Sequence, residues 1–369
     1  MSVASVLDDL TIEGELVEKL PGQVLRCTAC AHRCRIQPGG RGVCKLRFNH
    51  KGSLRVPWGY VAALQADPIE KKPFSHFLPG ATALTFGMLG CDFHCGYCQN
   101  WFTSQALRDP ESDGALNLVR RISPQEMVQA ARKVQAQVIV SSYNEPLITA
   151  EWARAIFVEA QAAGLKCAFV SNGNATPEVL AYLRPTLNAY KVDLKSMQPR
   201  NYRSLGGVLQ NVLDTIRGAY DLGLWVEVVT LLVPGFNDSN EELFEMANFL
   251  RSISVDIPWH ITAFHKDYKM TSPGNTPAES LVRAADLGRE AGLNYVYAGN
   301  LPGRVGEYED TCCPRCNRTL IQRRGYTLNG YSLDSVGACP ACGTKISGIW
   351  SENPSSIRLS VQKPPFPLY

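Results

Sequence analysis

The sequence has little charge, no marked excess of either sign and no long apolar run. Its 37 Lys and Arg residues face 34 Asp and Glu residues, which leaves a formal net charge of +3. Charged residues make up 19% of the chain, below the usual ~25%, which excludes a disordered polyelectrolyte and a coiled coil. This balance gives no general case for binding nucleic acid or an acidic membrane. No apolar stretch approaches the ~18 residues that a membrane span requires.

A secretory signal is also missing. The first residues, MSVASVLDDLTIEGEL, contain neither a basic start nor an apolar stretch. We therefore expect a cytoplasmic protein. The length of 369 residues and the hydrophobic fraction of 45% predict a globular chain of about two domains, or one large α/β domain with additions.

Cysteine, in contrast, is abundant, with 13 residues. All of them except Cys167 fall in three clusters. The tight C-x-x-C spacing, in a chain without a secretory signal, indicates metal binding rather than disulfides. Cys167 lies in an apolar run and is expected to be a small core residue. The clusters are Cys27, Cys30, Cys34 and Cys44; Cys91, Cys95 and Cys98; and Cys312, Cys313, Cys316, Cys339 and Cys342.

Residues 80–300 repeat an apolar run, a loop and an amphipathic helix. The runs are rich in Val, Ile, Leu and aromatic residues with little alternation, which is typical of strands buried on both faces. Capping boxes at Ser123 with Glu126, and at Ser239 with Glu242, predict where two of the helices begin. Alternating strands and helices predict a parallel sheet, either an open doubly wound sheet or one curled toward a barrel. The runs are ALTFGML, QVIVSSY, CAFVSN, AYKVDL, LWVEVVTLLV, WHITAF and NYVYAG.

The second cysteine cluster directly follows the first of these strands, with the spacing C-x3-C-x2-C. Three thiolates on one short loop can hold three irons of a [4Fe–4S] cluster and leave the fourth iron open to a small ligand. A zinc loop completed by His94 is the alternative. With Tyr97 before the third cysteine, the run resembles the signature of radical S-adenosylmethionine (SAM) enzymes. That resemblance implies a partial (β/α)6 TIM-like barrel, and cleavage of SAM at the cluster to methionine and a 5′-deoxyadenosyl radical.

The resemblance also implies SAM contacts at the C-terminal ends of the strands. Glu145 stands where these enzymes place a Gly-Gly-Glu-type segment that binds the SAM amino group. Asp193-Leu194-Lys195 looks like the segment of glycyl-radical activating enzymes that helps to hold SAM, whereas Val170 replaces a carboxylate of their cation site. The plainer alternatives are a strand-ending turn at Glu145 and a hydrogen-bonded core histidine at His265. The implied cofactor-binding residues are Cys91, Cys95, Cys98, Tyr97, Asn144, Glu145, Ser171, Asn172, Asp193, Lys195 and His265.

Further segments carry a closer resemblance, to the radical SAM proteins of the AmmeMemoRadiSam system. Members of that family are often described as homologues of pyruvate formate-lyase activating enzyme. The resemblance implies Memo-like and AMMECR-like partners. The charged residues Asp67, Glu70, Lys71 and Lys72 are expected either to close over the SAM site or to form a charged surface turn. The segments that carry the resemblance are 67–73, 76–80, 98–101, 258–260 and 267–270, together with the N-terminal cysteines.

The outer cysteine clusters predict two further metal sites. Cys27, Cys30, Cys34 and Cys44 supply four thiolates that suit either zinc, which we favour, or a second [4Fe–4S] cluster. Cys313, Cys316, Cys339 and Cys342 have the spacing of a zinc ribbon, so we expect structural zinc there. The predicted domains are a four-cysteine knuckle at 1–62, a radical SAM barrel at 63–303, a zinc ribbon at 304–352 and a Pro-rich extended tail at 353–369.

The predicted function is hydrogen abstraction from a protein or peptide substrate by a radical SAM enzyme that resembles glycyl-radical activating enzymes. The alternatives are radical SAM modification of a small molecule or RNA, and a non-enzymatic iron–sulfur and zinc adaptor. We expect a reductant such as flavodoxin or ferredoxin, and neither a membrane nor a nucleic acid as partner. No residue is nominated for quenching the product radical.

Overall fold

The N-terminal segment folds into short strands; the structure, a computed structural model, describes residues 3–359. One antiparallel sheet of three strands joins residues 11–13, 53–57 and 48–50, and a second joins residues 17–19, 25–27 and 35–36. The predicted knuckle of loops is therefore more regular than expected, because strands of two to five residues are too short to show a period. The elements are α1 (Val3–Asp8), β1 (Thr11–Glu13), β2 (Val17–Lys19), β3 (Leu25–Cys27), β4 (Arg35–Ile36), β5 (Phe48–His50), β6 (Ser53–Pro57) and β7 (Tyr60–Val61).

An eight-stranded sheet forms the centre of the molecule. All its strands are parallel except the first in the chain, which lies antiparallel at one edge. The predicted α/β barrel with a parallel sheet is confirmed. The sheet has seven parallel strands and the antiparallel edge strand, whereas six strands were expected. The strands of this sheet are β8 (Ala63–Pro68), β9 (Thr82–Gly87), β11 (Val138–Ser141), β12 (Lys166–Ser171), β13 (Ala189–Asp193), β14 (Trp225–Leu232), β15 (Trp259–Ala263) and β16 (Val296–Gly299). A further short strand, β10 (Arg120–Arg121), pairs with β7 outside this sheet.

Alternate residues of each strand face opposite sides of this sheet. Val140, Ala168 and Ala189 lie side by side on neighbouring strands and pack in one small buried cluster. Ile139 and Phe169 point the other way and join the larger core. The inward face changes from apolar to polar toward the C-terminal ends of the strands, and this end of the sheet carries the site described below.

The helices that connect the strands are α2 (Trp101–Ser104), α3 (Pro124–Lys133), α4 (Ala150–Ala162), α5 (Pro177–Leu183), α6 (Pro199–Leu205), α7 (Leu209–Asp221), α8 (Asn240–Ile253) and α9 (Ala278–Glu290). The capping box of Ser123 and Glu126 is confirmed in both directions. The second box is only half right. Ser239 accepts from the Glu242 amide, but the Glu242 carboxylate accepts instead from Ser196 and from the amide of Met197. Among residues 3–359, none of the helices is long and apolar enough to cross a membrane.

The C-terminal segment makes a three-stranded antiparallel sheet from β17 (Thr311–Cys312), β18 (Thr319–Arg324) and β19 (Thr327–Tyr331). It packs against Tyr295 and Tyr297 at the end of the barrel, and Ile349, further along the chain, pairs with Phe77. We call residues 304–352 the C-terminal module. Of the predicted tail, residues 360–369 lie outside the described residues, and residues 354–356 form a short 3-10 helix rather than an extended chain. The domain boundaries themselves stay predictions.

Candidate active site

A cavity of about 360 Å³ lies at the C-terminal ends of the barrel strands. We call it the main cavity. Its volume falls within the ~300–1,000 Å³ typical of small-molecule sites. Side chains from all seven parallel strands or the loops after them contribute to its wall, as expected for a site in a parallel barrel. Its polar and cysteine lining comprises Lys71, Lys72, Cys95, Tyr97, Cys98, Gln99, Asn100, Ser142, Tyr143, Lys191, Asp193, Lys195, Thr262, Asn300 and Tyr326.

The loop after β9 brings two of its three cysteines into the main cavity. Cys95 and Cys98 belong to the lining, whereas Cys91 does not. The Cys91 sulfur accepts from the Phe93 amide at 3.3 Å and lies 4.0 Å from the Asn172 side-chain amide. All three are free cysteines. Burial raises the pKa of Cys95 to about 12 although the Lys195 ammonium opposes this, so metal binding there must release a proton.

Two lysines flank one aspartate on the inner wall of the main cavity. Lys195 donates to the Asp193 carboxylate at 3.0 Å, and Lys191 donates to its other oxygen. Burial alone would raise the pKa of Asp193, but the two ammonium groups outweigh it and hold the pKa at about 2. This wall therefore presents one net positive charge to a ligand. Lys191 was not among the predicted site residues, although its position two residues before Asp193 in a strand puts both on one face.

Glu145 lies beside the main cavity but not on its lining. Its carboxylate accepts from the Ser171 hydroxyl at 2.7 Å and from the Asn172 amide at 2.8 Å. Burial, and then the nearby Asp92 carboxylate, raise the pKa of Glu145. Asn144 accepts from the Met88 amide at 2.9 Å. Asn144, Glu145, Ser171 and Asn172 thus link the loops after β9, β11 and β12 by hydrogen bonds. Their role as SAM contacts stays a prediction.

Two residues just before Glu145 reach the main cavity instead. Ser142 and Tyr143 both belong to its lining. Tyr143 has a positive φ of 68°, a conformation that non-glycine residues seldom adopt, and its hydroxyl accepts from Lys72 at 2.9 Å. The loop that the motif indicated therefore reaches the main cavity through Ser142 and Tyr143.

Tyr97 and His265 differ in their placement. Tyr97 is buried, lines the main cavity, and sets its ring edge-on against Phe236 at 6.0 Å between centroids. The His265 side chain is 51% exposed and lies outside the lining. It reaches the site only through Gln99, whose amide nitrogen lies 2.9 Å from its Nε2. A SAM contact by His265 stays a prediction.

The charged segment before β9 is part of the site. Asp67 is 7% exposed, Glu70 is 7% and Lys72 is 4%, so the alternative of a charged surface turn is wrong for these three. Asp67 accepts from Lys71 at 2.8 Å and from Lys72 at 3.0 Å, and both lysines line the main cavity. Residues 67–72 lie at the barrel because β8, which ends at Pro68, pairs with β9.

Comparison with known proteins identifies this arrangement. Residues 86–250 match the family model of the radical SAM superfamily. The uncharacterized protein MJ0808 of Methanocaldococcus jannaschii is 36% identical over 337 residues, which cover 90% of this chain and 98% of that protein. The chain belongs to the radical SAM superfamily.

Two more relatives of this radical SAM protein are more distant. Pyruvate formate-lyase-activating enzyme of Staphylococcus aureus (strain USA300) is 23% identical over 203 residues, covering 51% of this chain and 78% of the enzyme. A crystal structure of a domain of pyruvate-formate lyase-activating enzyme from Bacteroides vulgatus ATCC 8482 superposes with a TM-score of 0.39 and 20% identity, covering 44% of this chain and 98% of that domain.

Membership of the superfamily implies a [4Fe–4S] cluster and SAM, and the site residues fit both. Cys91, Cys95 and Cys98 share one loop as unpaired thiols, which suits three iron ligands. The Asp193 carboxylate and the Lys195 ammonium line the same cavity. The negative Asp193 is complementary to the amino group of SAM, and the positive Lys195 is complementary to its carboxylate. His94, the fourth ligand of the alternative zinc loop, is exposed.

The N-terminal four cysteines lie next to the cluster loop. Arg108 joins the two, since its guanidinium donates to the carbonyl of Cys91 at 2.6 Å and to that of Val43 at 2.7 Å. Burial raises the pKa of Cys44 to about 11. The ligand atoms of Cys27, Cys30, Cys34 and Cys44 do not gather within 4.8 Å of one another in the described structure. Zinc or a second [4Fe–4S] cluster in this N-terminal site stays a prediction.

The C-terminal four cysteines do form a compact group that could bind a metal. The sulfur atoms of Cys313, Cys316, Cys339 and Cys342 all lie within 4.8 Å of one another. The Cys313 and Cys342 sulfurs are 3.5 Å apart, and those of Cys316 and Cys339 are 3.7 Å apart. Cys312 lies outside this group. Cys167 is fully buried, as expected of a core residue.

Proposed function

We propose that this enzyme cleaves SAM reductively at a [4Fe–4S] cluster held by Cys91, Cys95 and Cys98, and abstracts a hydrogen atom from a protein or peptide substrate. One observation carries the proposal. Cys95 and Cys98 line the same cavity as Asp193 and Lys195, at the C-terminal ends of parallel strands. A metal-binding adaptor has no need of a charged small-molecule cavity beside its cluster.

A cluster held by Cys91, Cys95 and Cys98 would pass one electron from a reductant such as flavodoxin or ferredoxin to SAM, and would thereby supply methionine and a 5′-deoxyadenosyl radical able to take a hydrogen atom from substrate. The chain orients SAM for this step. Lys195, buried with a pKa held well above its ordinary value chiefly by Asp193 against the effect of burial, stays charged and suits the SAM carboxylate. The carboxylate of Asp193 suits the amino group.

Other side chains would shield part of the bound cofactors from solvent. Tyr97 and Leu231 supply bulk on the inner wall, and Lys72 with Tyr143 covers the side nearest β8. They bound one part of the main cavity, whose volume of about 360 Å³ suits a small-molecule ligand.

We further propose zinc for the C-terminal four cysteines. Tetrahedral zinc with Zn–S bonds of about 2.3 Å sets sulfur atoms about 3.8 Å apart, close to the 3.5 and 3.7 Å between the paired sulfurs here. The resemblance to the family supports Memo-like and AMMECR-like partners and a glycyl-radical product. We propose the Memo-like and AMMECR-like proteins as the first candidates to add to the reduced enzyme.

The test is anaerobic reconstitution followed by metal and sulfide counting and measurement of 5′-deoxyadenosine formed from SAM with dithionite. The triple variant Cys91/Cys95/Cys98→Ala should lose the catalytic iron and all SAM cleavage. A Cys312→Ala variant is the matched control and should keep both. Cleavage that survives in the triple variant, or an intact cluster in wild type that never cleaves SAM, contradicts the proposal.

The substrate class has its own test. Reduced enzyme mixed with SAM and a candidate partner protein should give a protein radical detected by electron paramagnetic resonance. Deuterium transfer from labelled substrate into 5′-deoxyadenosine identifies the carbon that loses hydrogen. A silent spectrum with every candidate partner overturns the glycyl-radical version, whereas SAM cleavage is judged by the preceding test.

A further inference from the structure

A second, smaller cavity of about 70 Å³ lies between the barrel and the C-terminal module. We call it the side cavity. Its wall combines Glu70 from the segment after β8, His260 and Tyr297 from β15 and β16, and Arg323 and Tyr326 from the C-terminal module. A water needs ~10–15 Å³ of such volume, so there is room for about five water-sized groups.

Two charged side chains of the side cavity each keep one polar atom without a partner. Glu70 is 7% exposed; its Oε1 accepts from the Gly80 amide at 2.8 Å, but Oε2 has no hydrogen-bond partner. Arg323 is 7% exposed; its terminal nitrogens donate to Thr311 at 2.7 Å and to the Ser75 carbonyl at 2.8 Å, but Nε has no partner. Buried polar atoms are nearly always paired. Other atoms, such as the Nε atoms of Arg47 and Arg154, are also unpaired, but Glu70 and Arg323 line the same cavity, where one ligand could pair with both.

The neighbouring ionisable groups are already paired, which limits what a ligand can meet. His260 is bonded to Glu227 at 2.6 Å. The Tyr297 hydroxyl is bonded to His76 at 2.7 Å and to Thr311 at 2.8 Å. Glu309 accepts from the amides of Gly303 and Gly325. Among the charged side chains of the described lining, Glu70 therefore offers a free acceptor and Arg323 a free donor, beside the hydroxyl groups of Ser75, Thr262 and Tyr326.

The side cavity adjoins the main cavity. Pro73, Thr262, Asn300 and Tyr326 line both of them. A group held between Glu70 and Arg323 therefore directs the rest of its molecule toward the place where SAM is proposed to be cleaved.

We propose that the side cavity binds an amide group of the substrate, with the amide N–H donating to Glu70 and the amide oxygen accepting from Arg323. This inference rests on the proposed function for its meaning as a substrate site. An amide unit carries one N–H donor and one oxygen acceptor, both bonded to the same carbonyl carbon, and with its methyl neighbours it has about the five heavy atoms for which there is room. A carboxylate ligand has no donor for Glu70, and an ammonium ligand has no acceptor for Arg323, so either would leave one of the two side chains unpaired.

The experiment measures binding of N-methylacetamide to the reconstituted holoenzyme with SAM and without reductant, by saturation-transfer NMR at pH 8. Glu70→Gln keeps an oxygen for the Gly80 amide and turns an NH2 group toward the side cavity, so binding should weaken at least tenfold. Arg315→Gln, an exposed change in the same module, should leave binding unchanged. Arg323→Lys should also weaken it; because this change also removes two buried bonds, Glu70→Gln alone decides the test if Arg323→Lys fails to fold.

Several results overturn the proposal: no binding to wild type, equal binding to Glu70→Gln, or acetate or methylammonium binding as well as the amide. A blocked peptide that binds more tightly than N-methylacetamide identifies a polypeptide as the source of the amide, and a free amide that binds alone identifies a small molecule; both support the proposal. Because no reductant is present, failure here leaves SAM cleavage untouched, and failure of SAM cleavage leaves the amide site standing.

Discussion

A buried ion pair fastens the N-terminal segment to the barrel, and removing one partner should destabilise the protein strongly. Arg47 donates to both oxygens of Glu151 at 2.7 and 2.6 Å, and also to the carbonyl of Ile148 at 3.2 Å. Arg47 is 1% and Glu151 is 2% exposed. Glu151→Leu leaves a guanidinium that cannot lose its proton, and breaking such a pair costs about 3–5 kcal/mol. We expect about 4 kcal/mol at pH 7 because Glu151 also accepts from the Leu16 amide.

The reverse variant should cost less, because a carboxylate can take up a proton whereas a guanidinium cannot. Arg47→Met is expected to lower the free energy of unfolding by about 2–3 kcal/mol at pH 7 and by less at pH 5. The double variant Arg47→Met/Glu151→Leu replaces the pair with apolar groups, so it should lie within about 1 kcal/mol of wild type.

Urea unfolding of the four proteins, followed by circular dichroism at fixed metal content, gives the interaction free energy as a double-mutant cycle. The expected value is about 5 kcal/mol or more, the excess of the summed single costs over the cost of the double variant. Costs that simply add, or a Glu151→Leu variant within about 1 kcal/mol of wild type, would refute the argument from burial.

Three further predictions concern single residues of the sites. Burial raises the pKa of Glu70 from 4.5 to about 7, so between these pH values the folded state binds more protons than the unfolded state. The free energy of unfolding should therefore fall by about 3 kcal/mol as the pH rises through this range. Glu70→Gln should flatten this pH dependence in urea titrations. Cys313→Ser should remove one metal by atomic emission and keep the iron, whereas Cys312→Ser keeps both. Asp193→Asn should weaken SAM binding at least tenfold in equilibrium dialysis; with a pKa of about 2, Asp193 itself should impose no change on wild-type binding between pH 8 and 5, and a change that the variant abolishes would contradict this.

The strands of the barrel could be predicted from the sequence because burial on both faces leaves a direct mark on composition. The runs around Val138–Ser141 and Trp225–Leu232 are almost wholly apolar or β-branched, and each lies between a capped helix and a turn. The cysteine spacing then located the end of the barrel that carries the chemistry. Both inferences use residues close together in the chain.

The rest depends on contacts between distant segments, which no local pattern records. β8 was missed as a strand because Asp67 and Pro68 at its end resemble a turn, and it is held by pairing with β9. The Glu242 carboxylate left its expected capping partner for Ser196, 46 residues away. The side cavity brings together Glu70 and Arg323, whose juxtaposition exists only once the C-terminal module packs on the barrel.

The origin of the side-cavity wall has a consequence for how such enzymes diversify. Arg323 and Tyr326 come from the segment after the barrel, whereas Cys91, Cys95 and Cys98 come from the barrel itself. The wall of the side cavity is thus shared between two stretches of chain, because Glu70, His260 and Tyr297 come from the barrel. A change in the C-terminal module alone would reshape one part of this wall while Cys91, Cys95 and Cys98 stayed in place.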